Sequence, residues 1–137
     1  MLDKKKIICF DIDGVICKTE GLNYLKSKPI KKNIKKINDL YERGYYIKLF
    51  TARYMGRSNE NVWIASKKNI KVTVPQIKKW GVKFHKLIFG KPTYSLFIDD
   101  RNLFHKNDWA KRIDKVIKKK KVLDTICIVI IILYYWF

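Results

Sequence analysis

Residues 7–14 read IICFDIDG, an apolar run that ends in two carboxylates and a glycine. The run predicts a buried β-strand that stops at Gly14. Side chains two positions apart share one face of a strand, so Asp11 and Asp13 are expected to point the same way. Neighbouring carboxylates repel unless a cation or a proton lies between them, and Mg²⁺ prefers such oxygen ligands. Taken alone, the pair is also typical of a solvated acidic turn.

Two more apolar runs end in polar side chains. Residues 47–51 end in a threonine, residues 95–100 end in Asp99 and Asp100, and Lys91 precedes this last run. Parallel α/β sheets bind ligands at the carboxyl ends of their strands. Carboxylates, a hydroxyl and an ammonium group in this order are more specific than the first pair alone. Together they indicate a site that handles phosphate.

The sequence resembles the haloacid dehalogenase-like (HAD) superfamily of phosphotransferases over residues 5–101. The four motifs of that superfamily are matched, in order, by Asp11-Ile12-Asp13-Gly14, Thr51, Lys91 and Asp99-Asp100. With the flanking segments 50–53, 89–92 and 98–101, the chain is most similar to the small capsule-biosynthesis-type phosphatases. Its Thr-Ala-Arg and Asp-Asp-Arg signatures also resemble the phosphatase half of polynucleotide kinase-phosphatases, which remove 3′-phosphates from nucleic-acid ends.

The resemblance implies a role for each motif residue. Asp11 would attack phosphorus and form an aspartyl-phosphate, and Asp13 would act as general acid and base. Thr51 would hydrogen-bond the phosphoryl group, and Lys91 would offset the charge of nucleophile and phosphate. Asp99 would hold magnesium together with Asp11 and the backbone carbonyl of Asp13.

Electrostatics supports part of this scheme, since an anionic nucleophile that approaches phosphate needs a metal and an ammonium group. The resemblance further implies that Asp100 supports the metal through water or orients Lys91. Three arginines lie near the predicted site, and arginine binds phosphate bidentately. We predict that Arg53 contacts substrate and that Arg101 is structural.

The alternation of strands and helices predicts an α/β domain over residues 1–120, with a Rossmann-like, mostly parallel sheet flanked by helices. The predicted elements are strands at 5–10, 47–51, 87–89 and 95–99, and helices from Pro29 to Gly44, at 58–68, at 73–80 and at 107–119.

The spacing between motifs also predicts that the core has no cap domain. Residues 15–50 and 52–90 are consumed by core elements, which leaves no room for a lid. The cleft is therefore expected to be open, with residues 17–28 and 54–60 as the local flap candidates. An open cleft suits large substrates, or a homo-oligomer in which a neighbouring subunit covers the site.

The chain carries 31 basic and 12 acidic residues, for a net charge of +19. Such a charge attracts anionic partners, nucleic acid and acidic membranes among them. Lysine that merely solvates helix faces, or a biased codon usage, explains the excess equally well. Two substrate classes stay open, a small phosphorylated sugar or related metabolite and a nucleic-acid end. A non-catalytic binding protein is the third reading.

The C-terminal tail at 121–137 is strongly apolar from residue 122 onward and follows a run of lysines. It is shorter than the roughly 20 apolar residues of a membrane span. We consider either a short membrane anchor or an extra edge strand of the sheet. The three cysteines suggest no disulfide framework or zinc site and predict a cytoplasmic protein, attached to the membrane if the tail is an anchor.

Overall fold

The computed structural model describes residues 7–106 and 108–119. The chain forms two compact units, Met1–Phe97 and Ile98–Phe137. The division falls inside the domain predicted over residues 1–120.

The first unit is an α/β fold with a Rossmann-like parallel sheet. Its elements are, in chain order, β1 (Ile7–Phe10), β2 (Cys17–Lys18), β3 (Lys28–Pro29), α1 (Lys31–Glu42), β4 (Tyr46–Thr51), α2 (Val62–Lys79) and β5 (Lys86–Phe89). The main sheet has the order β1-β4-β5, and β2 pairs with β3 in a small antiparallel ribbon. The predicted fold class is confirmed.

The register of the main sheet brings the carboxyl ends of its strands to one edge. Phe10 pairs with Leu49, and Thr51 pairs with Phe89. Alternate residues of β4 are buried, with Ile47 and Leu49 fully enclosed. The segments that follow β1, β4 and β5 therefore start at neighbouring points of the same sheet edge.

Helix α1 agrees with the helix predicted between Pro29 and Gly44. Its apolar residues Ile34, Ile37 and Leu40 are buried at helical spacing. Gly44 follows the helix at φ 83°, a left-handed conformation that glycine adopts without a Cβ clash.

The prediction of two helices at 58–68 and 73–80 is wrong, since a single helix, α2, covers Val62–Lys79. Pro75 lies inside α2. A proline there removes the hydrogen bond to the carbonyl four residues earlier. Pro75 and Lys71 are both exposed, so water can satisfy that carbonyl. Asn61 caps the true start by accepting a hydrogen bond from the Ile64 amide at 3.1 Å.

The strand predicted at 95–99 is also wrong, because these residues form no sheet ladder. The prediction assumed that an apolar run is buried. Leu96 is 76% exposed and Ile98 is 87% exposed. Among the described residues, β1 is thus an edge strand of the sheet.

The described part of the second unit contains helix α3 at 109–119, in agreement with the basic helix predicted at 107–119. Trp109 and Ile113, one helical turn apart, are its buried apolar residues. No helix within 7–106 or 108–119 has the length and apolar character to cross a membrane. The tail at 121–137, predicted as an anchor or a strand, lies outside the described residues.

Candidate active site

Three of the predicted site residues meet at the carboxyl edge of the sheet. Lys91, after β5, places its Nζ 2.7 Å from Oδ2 of Asp11, which follows β1. The Lys91 amide donates to the Thr51 carbonyl at the end of β4, at 3.2 Å. The Asp11–Lys91 contact joins residues 80 positions apart in the chain. The parallel sheet thus brings the first three predicted motifs together.

The Lys91 side chain is nearly buried and remains a cation. Burial lowers its pKa, but the hydrogen bond and the charge of Asp11, together with the nearby Tyr94, outweigh burial, so the net pKa is raised. The Lys91 Nζ also lies 5.1 Å from the centre of the Tyr94 ring. A permanent positive charge is therefore held against one carboxylate of the opening pair.

The other carboxylate of the pair, Asp13, is held by Arg53. The Arg53 Nε lies 2.9 Å from Oδ2, and Nη2 lies 2.8 Å from Oδ1, which makes the pair bidentate. The Thr19 hydroxyl also donates to Asp13 Oδ1. The Asp13 side chain is 31% exposed, whereas that of Arg53 is fully buried. The buried Arg53 thus fixes the orientation of the partly exposed Asp13 carboxylate.

The other N–H groups of Arg53 also donate hydrogen bonds to protein side chains. Nη1 donates to Gln76 Oε1 at 2.8 Å and to Thr73 Oγ1 at 3.4 Å. Nη2 also reaches Ser27 Oγ at 3.1 Å. Sequence reasoning predicted that Arg53 contacts substrate. In this arrangement Arg53 positions Asp13, and a contact with substrate would require it to exchange one of these bonds.

Three polar residues of α2 that support Arg53 were not recognised from the sequence. Asn69 Nδ2 donates to the Arg53 carbonyl at 2.9 Å, and Thr73 Oγ1 donates to Asn69 Oδ1 at 2.6 Å. With Gln76 they occupy one face of a continuous helix at i, i+4 and i+7. That spacing was the available signal, and dividing α2 into two helices concealed it.

Cys17 lies beside this ion pair but does not have the character of a nucleophile. Burial, followed by the charge of Asp13, raises the pKa of its thiol to about 11. The thiol is therefore protonated near neutral pH, and its Sγ lies 3.6 Å from Asp13 Oδ1. A structural role for Cys17 is consistent with this environment.

The other predicted site residues are Thr51, Asp99 and Asp100. Thr51 is fully buried, and its Oγ1 accepts a hydrogen bond from the Arg53 amide at 3.1 Å. Asp99 and Asp100 belong to the second unit, where both are exposed and Asp99 Oδ1 accepts from the Arg101 amide at 2.7 Å. Among the described residues, no group of three or more His, Cys, Asp or Glu side chains forms a metal site.

Gly90 precedes Lys91 and packs closely against Val62, and replacing it should destabilise the site. It has φ 89°, and a Cβ there would lie 2.9 Å from a methyl group of Val62. We expect Gly90→Ala to lower the free energy of unfolding by roughly 1–3 kcal/mol more than Gly81→Ala. Gly81 is the matched control, with φ 68° and nothing within 4 Å of its Cβ position. Urea denaturation measures both, and equal losses would contradict the packing argument.

Among known proteins, this chain is similar in fold to a solved structure. No protein-family model matches the chain, and no curated protein matches it. A crystal structure of a structural-genomics (MCSG) target from Vibrio cholerae is similar, with a TM-score of 0.73 and 22% identity. The match covers 84% of this chain and 98% of that one. At this level of identity the similarity shows the α/β fold.

Proposed function

We propose that the protein is a magnesium-dependent phosphomonoester hydrolase of the HAD-like type, acting on a phosphorylated sugar or related metabolite. The observation that carries the proposal is the 2.7 Å ion pair between Lys91 and Asp11. An ammonium group beside a carboxylate at the carboxyl edge of a parallel sheet is the electrostatic arrangement that attack on an anionic phosphate needs. Asp13 lies two residues from Asp11 and is oriented independently by Arg53.

The chemistry assigned to these side chains has two steps. Asp11 attacks phosphorus, the bond from phosphorus to the leaving oxygen breaks, and that oxygen takes a proton from Asp13. Water then attacks the phosphorus of the aspartyl-phosphate and gives a proton to Asp13, which releases inorganic phosphate and restores Asp11. Lys91 offsets negative charge in both steps, and Arg53 holds Asp13 within reach of the leaving oxygen and the water.

The oxygens that follow β1 are of the kind that a magnesium ion binds. The Asp11 side chain is 33% exposed, and its Oδ1 takes a hydrogen bond from the Ile12 amide at 2.7 Å, which leaves a further lone pair. Mg²⁺ commonly binds through one or two carboxylates together with water and substrate phosphate. In the first unit, Asp11 and the backbone carbonyl of Asp13 would hold it. Bound magnesium would neutralise phosphate charge.

Metal removal tests this function directly. We expect para-nitrophenyl phosphate to be hydrolysed in the presence of Mg²⁺, and EDTA to abolish the release of nitrophenol. Added Mg²⁺ should restore the rate, whereas Ca²⁺ should not, because its longer bonds and looser geometry place the phosphate differently. A rate that is unchanged by EDTA would contradict the magnesium requirement. Absence of hydrolysis in every condition, from a folded protein, would contradict the enzyme proposal.

One surface favours the second candidate function, a 3′-phosphatase acting on nucleic-acid ends. A concave region of about 710 Å³ has no carboxylate among its lining residues. Four lysines and a tryptophan contribute to its lining, namely Lys28, Lys31, Lys35, Lys79 and Trp80. Ser27, which accepts a hydrogen bond from Arg53, lines the same region. Lysine binds backbone phosphates, and tryptophan stacks on bases. We name this region the basic groove.

Salt dependence distinguishes the two candidates. If single-stranded nucleic acid lies in the basic groove, log K should fall steeply with log salt. Replacing Lys31 and Lys35 with Gln should then reduce that slope by about 0.7 for each lysine. The matched control replaces Lys67 and Lys71, which lie outside the groove. Binding or hydrolysis that is insensitive to salt and to competitor DNA would favour the metabolite.

A further inference from the structure

A second cavity, of about 400 Å³, lies between the two segments expected to act as local flaps. Tyr24 and Leu22 line it from one segment, and Tyr54 and Arg57 line it from the other. The two tyrosine rings meet edge to face, with centroids 4.9 Å apart. The two flap candidates are therefore in contact at the wall of this cavity. We name the cavity the tyrosine cavity.

Arg57 is held in the tyrosine cavity by contacts that leave part of its guanidinium unused. Its Cζ lies 5.0 Å from the centre of the Tyr24 ring and 5.2 Å from that of Tyr54. Its Nη2 donates to the Leu22 carbonyl at 2.6 Å. A cation–π contact does not use the N–H donors of a guanidinium, which lie along its edge. Nε and Nη1 of Arg57 make no hydrogen bond to the described residues, so a preorganised edge remains for an anion.

The tyrosine cavity is connected to the opening carboxylate pair through Arg53. The Cζ of Arg53 lies 5.0 Å from the centre of the Tyr24 ring, while its Nε binds Asp13. Gln76 contacts both sides, since its Nε2 donates to the Tyr24 carbonyl at 2.6 Å and its Oε1 accepts from Arg53. One wall of the cavity is thus separated from Asp13 by a single side chain.

The backbone at Tyr54 is strained. Its φ is 65°, in the left-handed region that bulky residues rarely adopt. Such strain persists where surrounding contacts determine it, and it is concentrated at functional sites. Burial raises the pKa of the Tyr54 phenol, so the hydroxyl is a neutral donor near neutral pH. The strained residue therefore presents a ring and a donor to the cavity beside Arg57.

Resting on the phosphatase function proposed above, we propose that the tyrosine cavity receives the leaving group of the substrate and that Arg57 binds a second anionic group on it. A carboxylate or a phosphodiester presents the oxygens that an arginine edge binds with two parallel hydrogen bonds. The exposed Leu22 and Leu25 at the same cavity offer apolar contact to the carbon skeleton between the two anionic groups.

The tyrosine cavity also contains one carboxylate, that of Glu20. Its negative charge opposes an anionic ligand, whereas Arg57 attracts one. Removing each charge should therefore change the preference for a second anion in opposite directions. This gives a pair of variants at one site whose effects differ in sign.

The experiment compares matched substrates that differ in the second anion. One pair is 3-phosphoglycerate and glycerol 3-phosphate, which differ by a carboxylate. The other is a nucleoside 3′-phosphate that carries a methyl phosphate on its 5′-oxygen and the same nucleoside 3′-phosphate with a free 5′-hydroxyl, which differ by a phosphodiester. The measured quantity is the ratio of kcat/KM within each pair, for the wild type, Arg57→Gln, Arg57→Lys, Glu20→Gln and the control Arg43→Gln. Arg43 is an exposed arginine on a salt bridge with Asp39, outside the cavity.

We expect Arg57→Gln to lower the ratio about 10- to 100-fold in one pair, the loss of a charge-assisted hydrogen bond. Arg57→Lys should lower it less, Glu20→Gln should raise it, and Arg43→Gln should leave it unchanged. The pair that responds identifies the second anion as carboxylate or phosphodiester. Ratios that Arg57→Gln and Arg43→Gln change equally, with hydrolysis intact, would overturn the inference alone. A folded wild type that hydrolyses none of these compounds, nor para-nitrophenyl phosphate, would overturn the phosphatase proposal and this inference with it.

Discussion

Asp11→Asn is expected to reduce phosphate release by at least about 100-fold, as is usual when a group that acts in the transition state is removed. An amide oxygen is a poor nucleophile and no longer balances the charge of Lys91, which lies 2.7 Å from Asp11 Oδ2. The rate of phosphate release measures the loss of activity. The mass of the intact protein after acid quenching identifies the nucleophile, since the wild type should gain one phosphoryl group and the variant none.

Asp39→Asn is the matched control for Asp11→Asn. Asp39 is an exposed carboxylate on α1 that forms surface ion pairs with Lys36 and Arg43. Such pairs contribute at most about 1 kcal/mol, and the same substitution there should leave phosphate release unchanged. Wild-type rates in Asp11→Asn would refute the nucleophile assignment. A slow variant that still gains the phosphoryl group would show that another residue is the nucleophile.

Arg53→Met is expected to have the second largest effect, because it removes one partner of the ion pair with Asp13. It also leaves the buried acceptor of Thr73 and the half-buried acceptor of Gln76 without this donor. Removing one partner of a buried ion pair costs about 3–5 kcal/mol. Asp13 is 31% exposed and recovers some hydration, so we expect a loss of about 3 kcal/mol, at the lower end of that range. Chemical denaturation measures it.

Kinetics separates a positioning role for Arg53 from a contact with substrate. If Arg53 orients Asp13, kcat should fall on the order of 100-fold, the usual contribution of general acid–base catalysis, while KM changes little. If Arg53 binds the substrate itself, KM should rise. Assays are made well below the unfolding temperature of the variant, so that loss of folded protein does not contribute.

Arg43→Met provides the control for Arg53→Met, since Arg43 and its partner Asp39 are exposed, at 41% and 49%. We expect Arg43→Met to cost no more than about 1 kcal/mol and to leave kcat unchanged. A similar loss of stability in both variants would contradict the idea that burial makes the Arg53–Asp13 pair important. An unchanged kcat in Arg53→Met would contradict its positioning role.

The opening run and the order of its polar partners were sufficient to predict the sheet. Alternation and apolar content place Ile47 and Leu49 inside β4, and polar residues at strand ends follow the direction of the chain. The prediction of two helices failed at Pro75. Proline usually interrupts a helix, but Pro75 lies on a solvent-exposed face of α2, where water can satisfy the freed carbonyl. It failed again at 95–99, because an apolar run shows the capacity for burial but not whether a partner surface covers it.

The sequence by itself determined the α/β class, the strand ends that carry Asp11, Thr51 and Lys91, and their common direction, because these depend on local periodicity and on the geometry of parallel strands. Only the tertiary structure decided that Arg53 is buried against Asp13 and that Arg57 lies within cation–π distance of two tyrosine rings. Both arginines follow the same strand, and nothing in their spacing distinguishes them. Their roles differ because Arg53 is buried and all its nitrogens form hydrogen bonds to the protein. Arg57 lies beside the tyrosine rings and keeps N–H groups that can bind a ligand.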